Sequence, residues 1–350
     1  MSAPDVATRA VALARVHRGD LVESVHLGHV VVLAPDGSVR LALGDPDVTV
    51  WPRSSLKPVQ AVAMLAHGLD VDDEALALVC ASHSGELGHL DVVQRVLADA
   101  GLREDDLQNT PDWPLAPDAA WQRRTDGHGP ASLTQNCSGK HAGMLATCRA
   151  AGWSTGDYLD PGHPLQRAVV ATTGALTGVD VTHVTVDGCG APLLSTTLTG
   201  LARAFGAVAS ASDGPAARVG RAMRTHPWHV GGTGRDVTAV MRAVPGLVAK
   251  DGADGVYAAG LPDGGAVALK VLDGSSRPRA VVLGAALAVA GVDPALLVDA
   301  VATPVLGHGA PVGAVRATFG PGEPPAGDGS DVGDVPRGDP PARTGDGPDA

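Results

Sequence analysis

Residues 21–43 constrain the fold more tightly than any other stretch. Residues 21–27, 28–34 and 38–43 are short β-rich runs, and the last two are separated by Pro35-Asp36-Gly37, a hairpin turn with glycine where a positive φ is needed. The spacing predicts that the chain opens as an antiparallel sheet. Residues 48–51 then run extended into Pro52, and a helix is expected from Ser54 through Met64 to Gly68. A strand feeding a helix that begins with a hydroxyl presents that hydroxyl on rigid scaffold. Aromatic residues make up only 3% of the chain, so Ala, Val, Leu and Gly must do most of the packing.

The later segments keep mixing strands and helices. Residues 75–80 are apolar and end in Ala81-Ser82-His83-Ser84-Gly85-Glu86, after which Leu90, Val93, Val96 and Leu97 form a helical stripe that stops at Gly101. Residues 111–130 read as a loop. A helix opens at Asn136-Cys137-Ser138-Gly139-Lys140-His141 and ends at Gly152, and another covers 163–176. A strand over 179–186 runs into Asp187-Gly188-Cys189-Gly190, followed by helices over 193–205 and 215–224. Gly231-Gly232-Thr233-Gly234-Arg235-Asp236 lacks the strand and spacing of a dinucleotide fingerprint and is assigned to a substrate-side loop or helix cap. Lys250 belongs to a loop leading into a strand over 256–261. The Pro262-Asp263-Gly264-Gly265 turn then gives a strand over 266–272 that carries Lys270. Helices over 280–291 and 294–302 and a β-like run over 312–318 close the fold.

This divides the 350 residues into an N-terminal extension (1–20), one domain (21–318) and a tail (319–350). From Pro321 onward one Glu and six Asp stand against two Arg, a net of −5, among many Pro and Gly, which is the composition of a disordered acidic segment. The formal net charge of −12 argues against a nucleic-acid partner. No apolar run is long enough to span a bilayer, and residues 1–14 lack a secretory core, so a cytoplasmic protein without a membrane partner is expected.

The chemistry begins at Arg53-Ser54-Ser55-Leu56-Lys57-Pro58. Residues three apart on a helix share a face, so Ser54 Oγ and Lys57 Nζ can meet, and a neutral lysine would serve as the base that a serine nucleophile needs. The plainer alternative is a capped helix start with Lys57 in water. Cys137, Lys140 and His141 fall on one helix face, and Cys137 with Cys189 makes a candidate two-thiolate zinc site that needs a third and fourth ligand. By ligand preference His141 would be taken before Lys140, because an ammonium must first lose a proton. Cys80 and Cys148 complete the four cysteines, without a Cys-x-x-Cys pattern.

Ser54-x-x-Lys57, Ser82-x-Ser84 and Lys270 on a late strand follow the order of the serine acyl-transfer signature of penicillin-recognising enzymes, with departures at Ser84 and at Val271-Leu272. A longer set of motifs resembles the rhizobial-type L-asparaginase family, or asparaginase II: Leu21-Val22-Glu23-Ser24, Arg53-Ser54-Ser55-Leu56-Lys57-Pro58, Ala81-Ser82-His83-Ser84-Gly85-Glu86, Asn136-Cys137-Ser138-Gly139-Lys140-His141, Asp187-Gly188-Cys189-Gly190, Gly232-Thr233-Gly234-Arg235 and Ala268-Leu269-Lys270. The resemblance implies an α/β fold of the serine β-lactamase or penicillin-binding-protein type, with an antiparallel sheet and flanking helices. It also implies a homodimer that hydrolyses L-asparagine to L-aspartate and ammonia.

Carried over, Ser54 matches the nucleophile with Lys57 beside it, Ser82 and Lys270 match the second serine and lysine, and Cys137, Lys140 and Cys189 match the zinc ligands. His141 would then be left for substrate or outer contacts. Asp187 and Glu86 are candidates for the substrate's α-ammonium, and Arg53 and Arg235 for its α-carboxylate. The alternatives are another serine acyl-transfer hydrolase, a peptidase or esterase, and a non-enzymatic zinc or amino-acid binding module.

Overall fold

The computed structural model describes residues 5–321. Among them are twelve strands: β1 (Val11–Arg18), β2 (Leu21–Leu33), β3 (Val39–Leu43), β4 (Thr49–Val50), β5 (Val184–Val186), β6 (Pro192–Leu194), β7 (Thr196–Thr197), β8 (Val248–Asp251), β9 (Val256–Gly260), β10 (Ala266–Val271), β11 (Pro304–Gly307) and β12 (Ala310–Ala317). The helices are α1 (Lys57–Ala66), α2 (Asp73–Val79), α3 (Leu87–Asp99), α4 (Pro117–Thr125), α5 (Ser138–Ala151), α6 (Pro164–Thr177), α7 (Leu198–Ser210), α8 (Gly214–Thr225), α9 (Pro227–Val230), α10 (Asp236–Ala243), α11 (Arg279–Ala290) and α12 (Val298–Val301).

The main sheet is antiparallel throughout, in the order β11-β12-β1-β2-β10-β9-β8, with β3 also paired to β2. The two runs expected over 21–27 and 28–34 form the single strand β2, whose halves have different neighbours. Residues 21–28 pair with β1, whereas 28–33 pair with β10 and 30–33 with β3. Gly28 stands at the changeover because a Cβ there would collide with the Lys270 carbonyl of β10. The buried stripe of β2 lies in its second half, where Val30, Val31 and Val32 are fully enclosed. Helix α7 packs on β9, β10 and β2, and α11 packs on β10, β2 and β12. Because α7 also contacts α6 and α8, it joins the sheet to the helical layer formed by α1, α2, α3, α5, α6 and α8. The core is mostly Val, Leu and Ala, with Tyr158, Phe205 and Tyr257 as its large enclosed side chains. This is the mixed α/β architecture expected from the sequence.

Several boundaries differ. Strand β1 lies inside the stretch taken for an extension, pairing with β2 on one side and β12 on the other, so the sheet starts at Val11. The apolar run 75–80 belongs to α2, capped by Asp72, whose carboxylate accepts from Ala75 N at 2.8 Å. Residues 117–125 of the expected loop are helical, with Pro117 in the first turn. Only Val184–Val186 of the expected 179–186 strand is extended, and the helix expected from 193 begins at Leu198 after β6 and β7. Lys250 is in β8, where all four residues are buried and no polar alternation marks the strand. Nearly all of the acidic tail, residues 322–350, lies outside the described residues. Among those described, no helix is long and apolar enough to cross a membrane.

Candidate active site

The nucleophile candidate sits in a bend rather than in the long helix itself. After β4 and Pro52, residues Arg53–Leu56 form one 3-10 turn that runs directly into α1. Arg53 has φ of 53°, a left-handed backbone in a residue with a Cβ, the kind of local strain that gathers at functional positions. Ser54 follows it on the wall of a cavity of about 330 Å³. Gly252 packs beneath this turn, where a Cβ would lie 2.7 Å from the Pro52 carbonyl and 2.8 Å from Ser55 Oγ.

Lys57 is fully buried and points at the segment after α2. Its Nζ donates to Ser82 Oγ at 3.0 Å and to the Ala81 carbonyl. Ser82 lines the cavity. Ser84 turns away and donates to the Gly231 carbonyl at 2.9 Å. Glu86, a candidate for the substrate ammonium, is used in the fold: it accepts from Thr233 N at 2.8 Å and Thr233 Oγ1 at 2.7 Å, and does not line the cavity. His83 bridges to Ser138 Oγ at 2.8 Å and accepts from Gly85 N at 3.1 Å, and burial holds it neutral.

Lys270, expected as the second lysine, is set apart from the cavity. Lys270 is half-buried, and its Nζ is spent on the carbonyls of Asp254, at 2.7 Å, and Val271; it does not line the cavity. Lys250 is the fully buried lysine that faces Lys57, and its Nζ donates to the backbone carbonyl of Asp251, at 2.7 Å, and to its carboxylate. Burial lowers Lys250 to about 8, against the pull of Asp251 and with the help of the Lys57 and Arg235 charges. The signal that sequence reasoning passed over is Lys250-Asp251-Gly252. It places glycine two after lysine, as in the Lys-Thr-Gly element, whereas Lys270 is followed by Val271-Leu272.

A second cluster adjoins the cavity. Cys137 ends the loop before α5, Lys140 lies on the first turn of that helix, and Cys189 is in the turn between β5 and β6. Lys140 Nζ donates to Cys189 Sγ at 3.1 Å, and both cysteines are buried against Ala191 and Leu159. The Cys137 thiol is pushed well down by its hydrogen bond with Cys189 and by the Lys57 and Lys140 charges, which together outweigh burial, while the same bond and burial push the Cys189 thiol up. Burial disfavours the Lys140 ammonium, but the sulfur charges hold it protonated. Among the described residues no group of three or more His, Cys, Asp or Glu could hold an ion. Two soft sulfurs and a nitrogen fit a three-donor zinc site, with Lys140 binding as the free amine after its proton is displaced. His141 is not part of it: its Nδ1 bonds Tyr158 OH at 2.8 Å, the ring is fully enclosed and held neutral by burial, and it does not line the cavity.

The remaining lining supplies charge for a small zwitterion. Arg53 donates from Nε to Asp187 at 2.9 Å and also pairs with Asp254. Burial opposes the Asp187 charge, but Lys140 and Arg53 keep its carboxyl below the usual range. Arg235 donates to the Ser82 carbonyl at 3.1 Å and to Asp251 at 2.8 Å. Arg279, which the sequence did not single out, enters from the first residue of α11, with bonds to the Gly252 carbonyl at 2.9 Å and to Asp236 at 3.2 Å. The structure thus brings Ser54, Lys57, Ser82, Arg53, Arg235, Asp187, Cys137, Lys140 and Cys189 together, and sets Glu86, His141 and Lys270 apart.

A mixed α/β domain with a buried serine–lysine contact beside a cavity of arginine and aspartate side chains has the makings of a hydrolase for a small, doubly charged substrate. The sequence matches the L-asparaginase II family over residues 14–317, and the chain belongs to that family. Similar solved structures include Mglu, at 15% identity and a TM-score of 0.40, covering 74% of this chain and 65% of that one. Mglu in its glutamate form also has 15% identity and a TM-score of 0.40, covering 74% of this chain and 59% of that one. A β-lactamase from Mycobacterium bovis is similar at 15% identity with a TM-score of 0.33, covering 71% of this chain and 88% of that one. The chain therefore spans less than two thirds of the Mglu chains. No curated protein matches it.

Proposed function

We propose that this protein is an L-asparaginase that hydrolyses L-asparagine to L-aspartate and ammonia through an acyl-enzyme on Ser54. The observation that carries the reading is the 3.0 Å contact of Lys57 Nζ with Ser82 Oγ beside a cavity that also presents Ser54. Ser54 Oγ attacks the side-chain amide carbon as its proton passes to the Ser82 hydroxyl and from there to the lysine pair through Lys57, the amine that Ser82 contacts. Lys250 supplies the neutral amine, because burial beside a second cation disfavours its charge. The C–N bond then breaks, the nitrogen leaves as ammonia with the relayed proton, and water cleaves the ester by the same route. Arg235 and Arg53 are assigned to the substrate carboxylate and Asp187 to its ammonium.

Cys137, Cys189 and Lys140 would hold a zinc ion, which when bound supplies a fixed positive charge that orients the substrate. The enzyme is further proposed to act as a cytoplasmic homodimer. Ammonia release from L-asparagine and L-glutamine, measured side by side, tests the reading. Turnover of esters or nitrocefin without ammonia from asparagine would replace it with the penicillin-type alternative, and asparagine binding without turnover would make the protein a binding module.

A further inference from the structure

One carboxylate at the cavity wall is nearly as buried as the lysine beside it. Asp251 ends β8, with its side chain 6% exposed. Its oxygens accept from Lys250 Nζ and, at 2.8 Å, from an Arg235 terminal nitrogen, while an Arg279 terminal nitrogen lies 3.7 Å away. The three cations come from different elements: Lys250 from β8, Arg235 from the residue before α10, and Arg279 from the start of α11. Because Arg235 also donates to the Ser82 carbonyl, Asp251 is one residue removed from the serine that contacts Lys57.

We propose that Asp251 is a positioning residue for this reaction: its carboxylate ties Lys250 and Arg235 into one network and, by its charge, sets the pH at which the Lys250 amine becomes available as a base. The proposal rests on Lys250 acting as that base. The charged or titratable groups facing Lys250 are Asp251 on its own strand, Lys57 from α1, Arg235, and the Cys80 thiol at the end of α2. Those facing Asp251 are Lys250, Arg235, Arg279 and the Tyr257 phenol of β9. Lys57, Arg235 and burial all favour the neutral amine, and Asp251 opposes them. The opposition is partial because two arginines draw on the same carboxylate.

The test is the pH dependence of kcat for ammonia release, with metal content measured for each variant. Asp251→Asn removes the one charge that keeps Lys250 protonated, so its acidic limb should lie roughly 1–3 pH units below wild type. Asp251→Glu, which restores the charge, should bring the limb back. A folded Asp251→Asn enzyme with lower kcat and an unmoved limb would show that the carboxylate only supports the fold, and would overturn the proposal. If Asp251→Asn does not fold, Arg235→Gln makes the converse test: removing a cation from the network must move the limb upward, and an unmoved limb overturns the proposal equally. Lys250→Met separates this from the reading beneath it. Retained kcat there removes Lys250 as base, whereas an inactive Lys250→Met beside an unmoved Asp251→Asn limb removes only the role given to Asp251.

Discussion

Each of the two lysine candidates carries an assignment that substitution can break. Ser54→Ala should stay folded and fall below roughly a thousandth of wild-type turnover, since water cannot take the place of a positioned nucleophile. Lys250→Met should lose most of kcat, while Lys270→Met, whose amine is spent on backbone carbonyls, should keep it within a few-fold; ammonia-release kinetics on both variants check the pair. Lys250 also fixes a sign for stability. Its folded value of about 8 lies below the ordinary 10.5, so between those values the unfolded chain binds more protons and stability from this residue rises with pH. Chemical denaturation of wild type against Lys250→Met from pH 8 to 10 should show that slope in the wild type alone. At the sulfur cluster, Cys137→Ser and Cys189→Ser should each lower a zinc content of about one per chain, measured by elemental analysis. Burial raises the Cys80 and Cys148 thiols to about 12 and 11, so they should react slowly and leave metal content unchanged when substituted. Ser54, Lys57, Cys137 and Lys140 could be singled out because they stand at helical spacing in short motifs, and Ser82 and Cys189 because they stand in a Ser-x-Ser cluster and a Gly-rich turn. Lys250 was not, because a fully buried lysine on a strand looks in sequence like a loop cation. Only three-dimensional enclosure distinguishes it.

At the scale of elements, the bend before α1 is held from below by the β8–β9 turn, and Gly252 is where the two backbones meet. Gly252→Ala should push the Arg53–Leu56 turn out of place and lower kcat by roughly 10–100-fold. A melting curve beside the kinetics checks that the loss is local: kcat unchanged in a folded variant would mean that the turn tolerates the shift. Elements with a clear period or a tight turn, such as the hairpin at Pro35-Asp36-Gly37 and the α5 helix ending at Gly152, were legible almost to the residue. Helix α2 was not assigned, since all five residues from Ala75 to Val79 are buried and an element enclosed on every side has no polar face to show its period. The same holds for β8. Helix α4 failed for the opposite reason: it is so polar, with Ala120 its only buried residue, that its proline and aspartate read as loop.

For the whole molecule, deleting residues 322–350 should leave asparaginase activity and oligomeric state unchanged, as their composition lacks core-forming side chains; activity assays and light scattering on the truncated chain check this. The general architecture was legible because its first hairpin demands an antiparallel sheet. The membership of β1 was not, because only one of its two edges is covered by its neighbour β2, and the strand on the other edge lies almost three hundred residues later. Ala14 faces Ala317, and Val16 faces Val315. That pairing has a consequence for how the protein is made. As it is synthesised β1 can find β2 at once, but it waits for almost three hundred further residues before its other edge is covered. Until then it offers unpaired backbone to any neighbouring nascent chain. Order of synthesis and order of assembly therefore disagree, and the yield in a cell should depend on what shields β1 in the interval.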